Sequence, residues 1–164
     1  MKNPKDFLNL FSSLTNDNSE NLIYRVFPHF VAEIARKYFR LQVEGTENIP
    51  RRGPALICPN HSGYSGFDAL LLAHEISKST GRIPRVLTHH LWFATKATSV
   101  PAEKLGFIEA NTANATAQLK KNNLVNLFPE GEYGNFKPTV ERYQIQEFKR
   151  GFIRLAIQRQ CPII

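Results

Sequence analysis

The sequence predicts an α/β fold, with a largely parallel central sheet flanked by helices. Three observations lead there. Short stretches of strand length, at residues 55–58, 85–88 and 124–128, alternate with longer segments of helical period. The runs at 55–58 and 124–128 are each stopped by a proline, Pro59 and Pro129. The run at 55–58 is apolar throughout, as in a strand covered on both faces. Strands joined through helices build parallel sheets, and ligands collect at the carboxyl ends of such strands.

Taken in order, residues 1–20 are polar, rich in Asn and Ser, and expected to be loosely ordered. Residues 22–40 turn helical. Ile23, Phe27, Phe30, Val31, Ile34, Tyr38 and Phe39 recur at intervals of one, three or four, while Arg25, Glu33, Arg36, Lys37 and Arg40 lie mostly elsewhere. Pro28 is expected to break or restart this segment. A basic amphipathic helix with Phe and Tyr on its apolar side suits a bilayer interface, and it equally suits packing on a domain. This segment, 1–40, is set apart from a domain over 41–164.

In that domain a short strand is expected at 41–44, then a turn-rich connection with Gly45, Pro50, Gly53 and Pro54, then the strand at 55–58. Beyond a loop at 61–68, residues 69–76 read as a helix ending near Gly81. Asp68 then falls in its first turn, where the helix dipole favours a carboxylate. Residues 85–88 form the next strand. Residues 91–104 are expected to be helical in part and broken by Pro101, with a short strand at 105–108. Asn111 or Thr112 can cap a helix running to about Lys121, which Asn122-Asn123 stops. The strand at 124–128 follows. Phe148, Phe152, Leu155 and Ala156 line a last helix, and Cys161-Pro162-Ile163-Ile164 looks like a strand just beginning.

The totals bound the function. A chain of 164 residues suits one domain with a real core. Hydrophobic residues at 42% and charged residues at 21% describe a globular chain. The net charge of +7 implies an anionic partner, such as cofactor phosphates or acidic lipid headgroups. Nucleic acid is not expected, because Lys and Arg are scattered and no RNP, KH or zinc-finger pattern occurs. Cys58 and Cys161 lack CxxC spacing and read as buried reduced thiols, which favours an intracellular location. The N-terminus lacks the features of a signal peptide, and no stretch approaches the roughly 20 apolar residues of a membrane span.

Two stretches carry chemistry. The first runs from Pro59-Asn60-His61 to Gly66-Phe67-Asp68 after an expected strand. Gly63 and Gly66 let backbone approach a ligand closely. A histidine with an aspartate at a helix start can act as a base and its orienter. His74 falls within a helix and reads as structural, while His89-His90 follows a strand and can line the same cleft. No two histidines are spaced to chelate a metal from one helix face. The second stretch is Phe128-Pro129-Glu130-Gly131-Glu132. Two carboxylates are unusual in a protein seeking anions unless they orient something, although such a tripeptide is often a plain solvated turn.

In motif order and spacing, residues 40–164 resemble the glycerol-phosphate and lysophospholipid acyltransferase family, of the 1-acylglycerol-3-phosphate acyltransferase type. His61 and Asp68 look like its catalytic His/Asp motif, and Gly106-Phe107-Ile108 looks like its second block. Phe128-Pro129-Glu130-Gly131 matches the third, and Cys161-Pro162-Ile163-Ile164 looks like the start of the fourth. The implied fold is glycerol-3-phosphate acyltransferase-like. Three departures stand out. The family commonly has four residues between His and Asp, and six separate His61 from Asp68. Ala110 occupies the place of an arginine that holds the acceptor's phosphate. The sequence stops within the fourth block, so a domain truncated at its C-terminus is expected.

The resemblance implies acyl transfer from acyl-CoA or acyl carrier protein to a lysolipid hydroxyl, with no cofactor beyond the acyl donor as co-substrate. His61, oriented by Asp68, would remove the hydroxyl proton. Phe128, Pro129, Glu130, Gly131 and Glu132 would shape the acceptor site. Lys137 and Arg142 are candidates for phosphate contacts, and backbone N–H groups near Gly63 or Gly131 for the oxyanion. The expected setting is peripheral, at the cytoplasmic face of a membrane, in phospholipid biosynthesis. Competing classes are a catalytically inactive lipid-binding protein and a thioester hydrolase with water as acceptor.

Overall fold

The computed structural model describes residues 24, 26–61, 66–141 and 143–164. The polar stretch 1–20 therefore lies outside the described residues. Two compact units, Met1–Leu41 and Gln42–Ile164, divide the chain.

The first unit contributes helix α1, Phe27–Tyr38. Pro28 sits at its first turn, where a missing N–H costs nothing and the fixed φ favours the helix, so the proline starts the helix and does not break it. Arg36 and Lys37 occupy the last turn, the end of the dipole that favours cations. Ala32 and Ala35 are buried, whereas Phe27, Phe30, Ile34 and Tyr38 are all more than half exposed.

The second unit is built on strands β1 (Ala55–Ile57), β2 (Arg85–Thr88), β3 (Phe107–Glu109) and β4 (Leu124–Asn126). All pair in parallel, in the spatial order β1-β4-β2-β3. The last residues add to the free side of β1. Leu56 N–H donates to the Pro162 carbonyl and Ile164 N–H to the Leu56 carbonyl, both at 2.9 Å, so the strand expected there does begin.

Side-chain alternation along the strands divides the core between the two sheet faces. Leu56 and Val125 point to one face, where Ala115, Leu119, Leu155 and Ala156 cover them. These come from helix α4 (Thr112–Lys120) and, beyond the short helix α5 (Glu132–Asn135), helix α6 (Gly151–Arg159). Ala55, Ile57 and Leu124 point to the other face and meet Ile76 of helix α2, Phe67–Thr80. Each fully buried Leu, Ile or Val contributes roughly 1.5–3 kcal/mol, which anchors strands of only three or four residues. The Arg82 guanidinium adds a polar tie, donating to the carbonyls of Pro50 and Gly53 at 2.7 and 2.8 Å and also to that of Asn122.

Local signals explain the helix ends. Gly81 takes a left-handed conformation to close α2, and the Asn111 side chain caps α4 by accepting from Asn114 N–H at 2.7 Å. Three expectations need correction. Residues 41–44 form no strand; Gln42, Val43 and Glu44 are exposed, and Gly45 turns the chain at φ 78° into a short 3₁₀ turn, Thr46–Asn48. Pro101 does not break its segment but lies inside helix α3, Lys96–Lys104. The carbonyl that it deprives of a donor belongs to exposed Ala97, which water can reach. Phe148 precedes α6, and its ring meets Phe152 edge-on with centroids 6.4 Å apart.

Candidate active site

β1 and β4 are neighbours running the same way, so the loops that leave them emerge side by side. Leu127 N–H still donates to the Ile57 carbonyl at 3.0 Å, which carries the pairing beyond the strands. The chain after β1 rises to His61, and the chain after β4 rises through Phe128 to Glu130. Sheet topology thus joins two stretches some 70 residues apart.

His61 Nδ1 lies 2.8 Å from Asp68 Oδ2, with side-chain exposures of 13% and 15%. A carboxylate only accepts, so Nδ1 carries the hydrogen, and Nε2 of the neutral ring keeps its lone pair. The six intervening residues are accommodated in part by Gly66, left-handed at φ 68°, which opens α2 and puts Asp68 in its first turn. There the other carboxylate oxygen accepts the Ala69 N–H at 2.8 Å. Residues 62–65, including Gly63, lie outside the described residues. The His61 ring stacks on Phe128, centroids 3.9 Å apart and planes 12° from parallel.

Glu130, expected to shape the acceptor site, is wholly buried. Its Oε1 accepts the His61 backbone N–H at 2.7 Å. Its Oε2 accepts from Lys137 Nζ at 2.7 Å and from Gln146 N–H at 2.9 Å. Burial by itself raises a carboxyl's pKa, but the Lys137 hydrogen bond, the two backbone donors and the Lys137 charge outweigh it and hold Glu130 below its ordinary value. Gly134 makes room: a Cβ there would come within 2.5 Å of Glu130 Cβ.

This arrangement predicts an acid-sensitive fold. A carboxyl depressed on folding contributes stability above its unfolded pKa and loses it as pH falls through the folded value. The urea midpoint should therefore fall on acidification below the ordinary carboxyl value of 4.5. Glu130→Gln should flatten that acid limb, from a lower plateau because Lys137 is left unpaired; an unchanged limb would show that Glu130 does not carry it.

The remaining candidates are distributed differently. Lys137, expected to grip a phosphate, is 8% exposed and engaged by Glu130. Arg142 lies outside the described residues. Gly131 adopts φ 61°, ψ −144°, a region that side chains rarely tolerate, but its N–H donates to the Phe128 carbonyl at 2.9 Å and is not presented to an oxyanion. Pro129 is buried, and its carbonyl accepts from Lys149 N–H. Glu132 accepts from His89 Nε2 at 2.7 Å, while His89 Nδ1 accepts the Leu91 N–H at 3.2 Å. His89 therefore has both ring nitrogens engaged. The roles of Lys137, Gln146 and Gly134 had no signal in sequence, since each depends on where the chain returns after β4.

His61, Phe128, Gly131, Glu132 and His89 border a cavity of about 840 Å³. Its other walls are mainly apolar, with Phe67, Leu70, Leu87, Trp92, Phe107 and Phe152 prominent, and Ala110 also lines it. Such a chamber suits a long apolar ligand with a polar end presented to His61. Among the described residues, no three His, Cys, Asp or Glu side chains are grouped to hold a metal ion. Nor is any helix among them long and apolar enough to cross a membrane.

A family model described as Acyltransferase matches residues 40–164. An uncharacterized protein of Mycobacterium tuberculosis is 35% identical over 148 residues, covering 84% of this chain and 41% of the relative. An uncharacterized protein of Mycobacterium bovis matches to the same extent, 35% over 148 residues, 84% and 41%. One of Mycobacterium leprae is 33% identical over 147 residues, covering 88% of this chain and 39% of the relative. The chain thus spans about two-fifths of the length of these relatives. No solved structure gives a significant match.

Proposed function

Because this chain belongs to the acyltransferase family, we propose that it moves a fatty acyl group from acyl-CoA or acyl carrier protein to the hydroxyl of a lysophospholipid or related lipid, with His61 as general base. The observation that supports this most is the 2.8 Å contact between His61 Nδ1 and Asp68, in a histidine that borders a large apolar cavity. Nε2 would take the hydroxyl proton as oxygen attacks the thioester carbon. The C–O bond forms, the C–S bond breaks, and the proton passes to the departing thiolate. Asp68 would stabilise the imidazolium in between.

Direct transfer is favoured over a cysteine-bound intermediate. Burial, and then the neighbouring Cys161, push the Cys58 thiol up to about 12. Burial also raises Cys161. Thiols held in the protonated form are poor nucleophiles. A peripheral position at the cytoplasmic face of a membrane fits the exposed Phe27, Phe30, Ile34 and Tyr38 of α1, with Arg36 and Lys37 on the same helix.

Incubation with radiolabelled acyl-CoA or acyl carrier protein and a panel of lysolipids tests this directly. Acylated lipid is the expected product. Free fatty acid without acylated lipid would indicate a hydrolase, and binding to liposomes with no turnover would indicate an inactive lipid-binding protein.

A further inference from the structure

One ion pair holds both backbone polar groups of His61. Glu130 Oε1 accepts the His61 N–H at 2.7 Å, and Lys137 Nζ donates to the His61 carbonyl at 3.3 Å while pairing with Glu130 Oε2 at 2.7 Å. Glu130 is inaccessible and Lys137 nearly so. Buried ion pairs contribute little net stability, because desolvating two charges offsets most of their attraction. Their benefit has to be sought in what they fix.

Here that is the peptide unit on either side of one imidazole. Resting on the reading of His61 as the base, we propose that Lys137 is a positioning residue: with Glu130 it clamps the His61 backbone, so that the ring meets Asp68 and faces the cavity. Phe128 limits the ring's tilt from one side, and the clamp limits the backbone from which the ring swings. Lys137 also sets the charge of the clamp, since the paired ammonium keeps the buried Glu130 carboxylate able to accept on both oxygens. A lysine enclosed in this way is not presented to a substrate phosphate.

Lys137→Met in the full chain should lower kcat about 100-fold, the scale of a misplacement near 1 Å, with KM for donor and acceptor unchanged. A raised KM for phosphate-bearing acceptors with kcat intact would overturn the proposal and return Lys137 to substrate binding. Because the single change strands a buried carboxylate, it also risks the fold. The charge-balanced double variant, Glu130→Gln with Lys137→Met, keeps an acceptor for the His61 N–H, with the amide NH₂ set against the Gln146 N–H that Oε2 accepts in the wild type. It should regain about a tenth or more of wild-type kcat, a non-additivity expected of residues acting as a unit. A double variant as impaired as the product of its singles would count against the clamp.

A readout independent of turnover is the His61 Nδ1–H resonance. It should be protected from exchange in the wild type, lost in Lys137→Met and restored in the double variant. Its persistence in Lys137→Met would overturn the proposal. If the wild type shows that resonance but no His61-dependent turnover, the general-base reading fails and the clamp stands.

Discussion

Replacing His61 with alanine is expected to reduce acyl transfer by about 10²–10⁴-fold, the usual contribution of a positioned general base. The substitution removes the ring nitrogen that contact with Asp68 leaves with a lone pair beside the cavity. The fold should survive, because the His61 N–H that Glu130 accepts belongs to the backbone and remains. What is lost structurally is a stack on Phe128, worth roughly 0.5–1.5 kcal/mol beyond its buried area, and the hydrogen bond to Asp68, worth roughly 0.5–3 kcal/mol. Single-turnover rates with labelled acyl thioester, set beside thermal melts, separate the two effects. Near-normal transfer by a well-folded His61→Ala protein would end the general-base reading.

Asp68→Asn should be comparably severe, on the order of 10³–10⁴-fold, although it changes neither size nor shape. The Ala69 N–H now donates to Oδ1, and it would continue to claim the amide oxygen of an asparagine. The amide NH₂ would then face His61 Nδ1 and force that nitrogen to accept. The hydrogen would move to Nε2, which could no longer take a proton from the acceptor. The charge that stabilises an imidazolium would vanish as well. Unimpaired kcat in Asp68→Asn would show that the pair is structural, whatever its distance.

Much of this architecture was legible because it follows from local chemistry. The apolar run at 55–57 and the largely apolar stretch at 124–126 are buried strands. Asn111 and Gly81 mark helix ends by side-chain capping and by left-handed backbone. His61 and Asp68 stood out by residue type and by their position after a strand. Elsewhere local pattern misled. Residues 41–44 have strand-like composition but no strand pairs with them, and Pro101 is tolerated where exposed Ala97 can bond to water.

Glu130 and Lys137 show most clearly where sequence stops. As residue types, a carboxylate beside a glycine and a lysine on a loop both suggest contacts with a ligand. Which of them faces substrate is a matter of burial, and burial is a property of the assembled chain. Composition and pattern by themselves determined the layered α/β plan and the strand ends that bear polar side chains, and they singled out one histidine and one aspartate as candidates for a base and its orienter. Only the tertiary structure decided that the loops after β1 and β4 lie side by side, and that Glu130 and Lys137 face the His61 backbone and not the cavity. The reason is physical: parallel pairing of β1 with β4 brings distant segments within hydrogen-bond range, and no local preference of either segment encodes that neighbour.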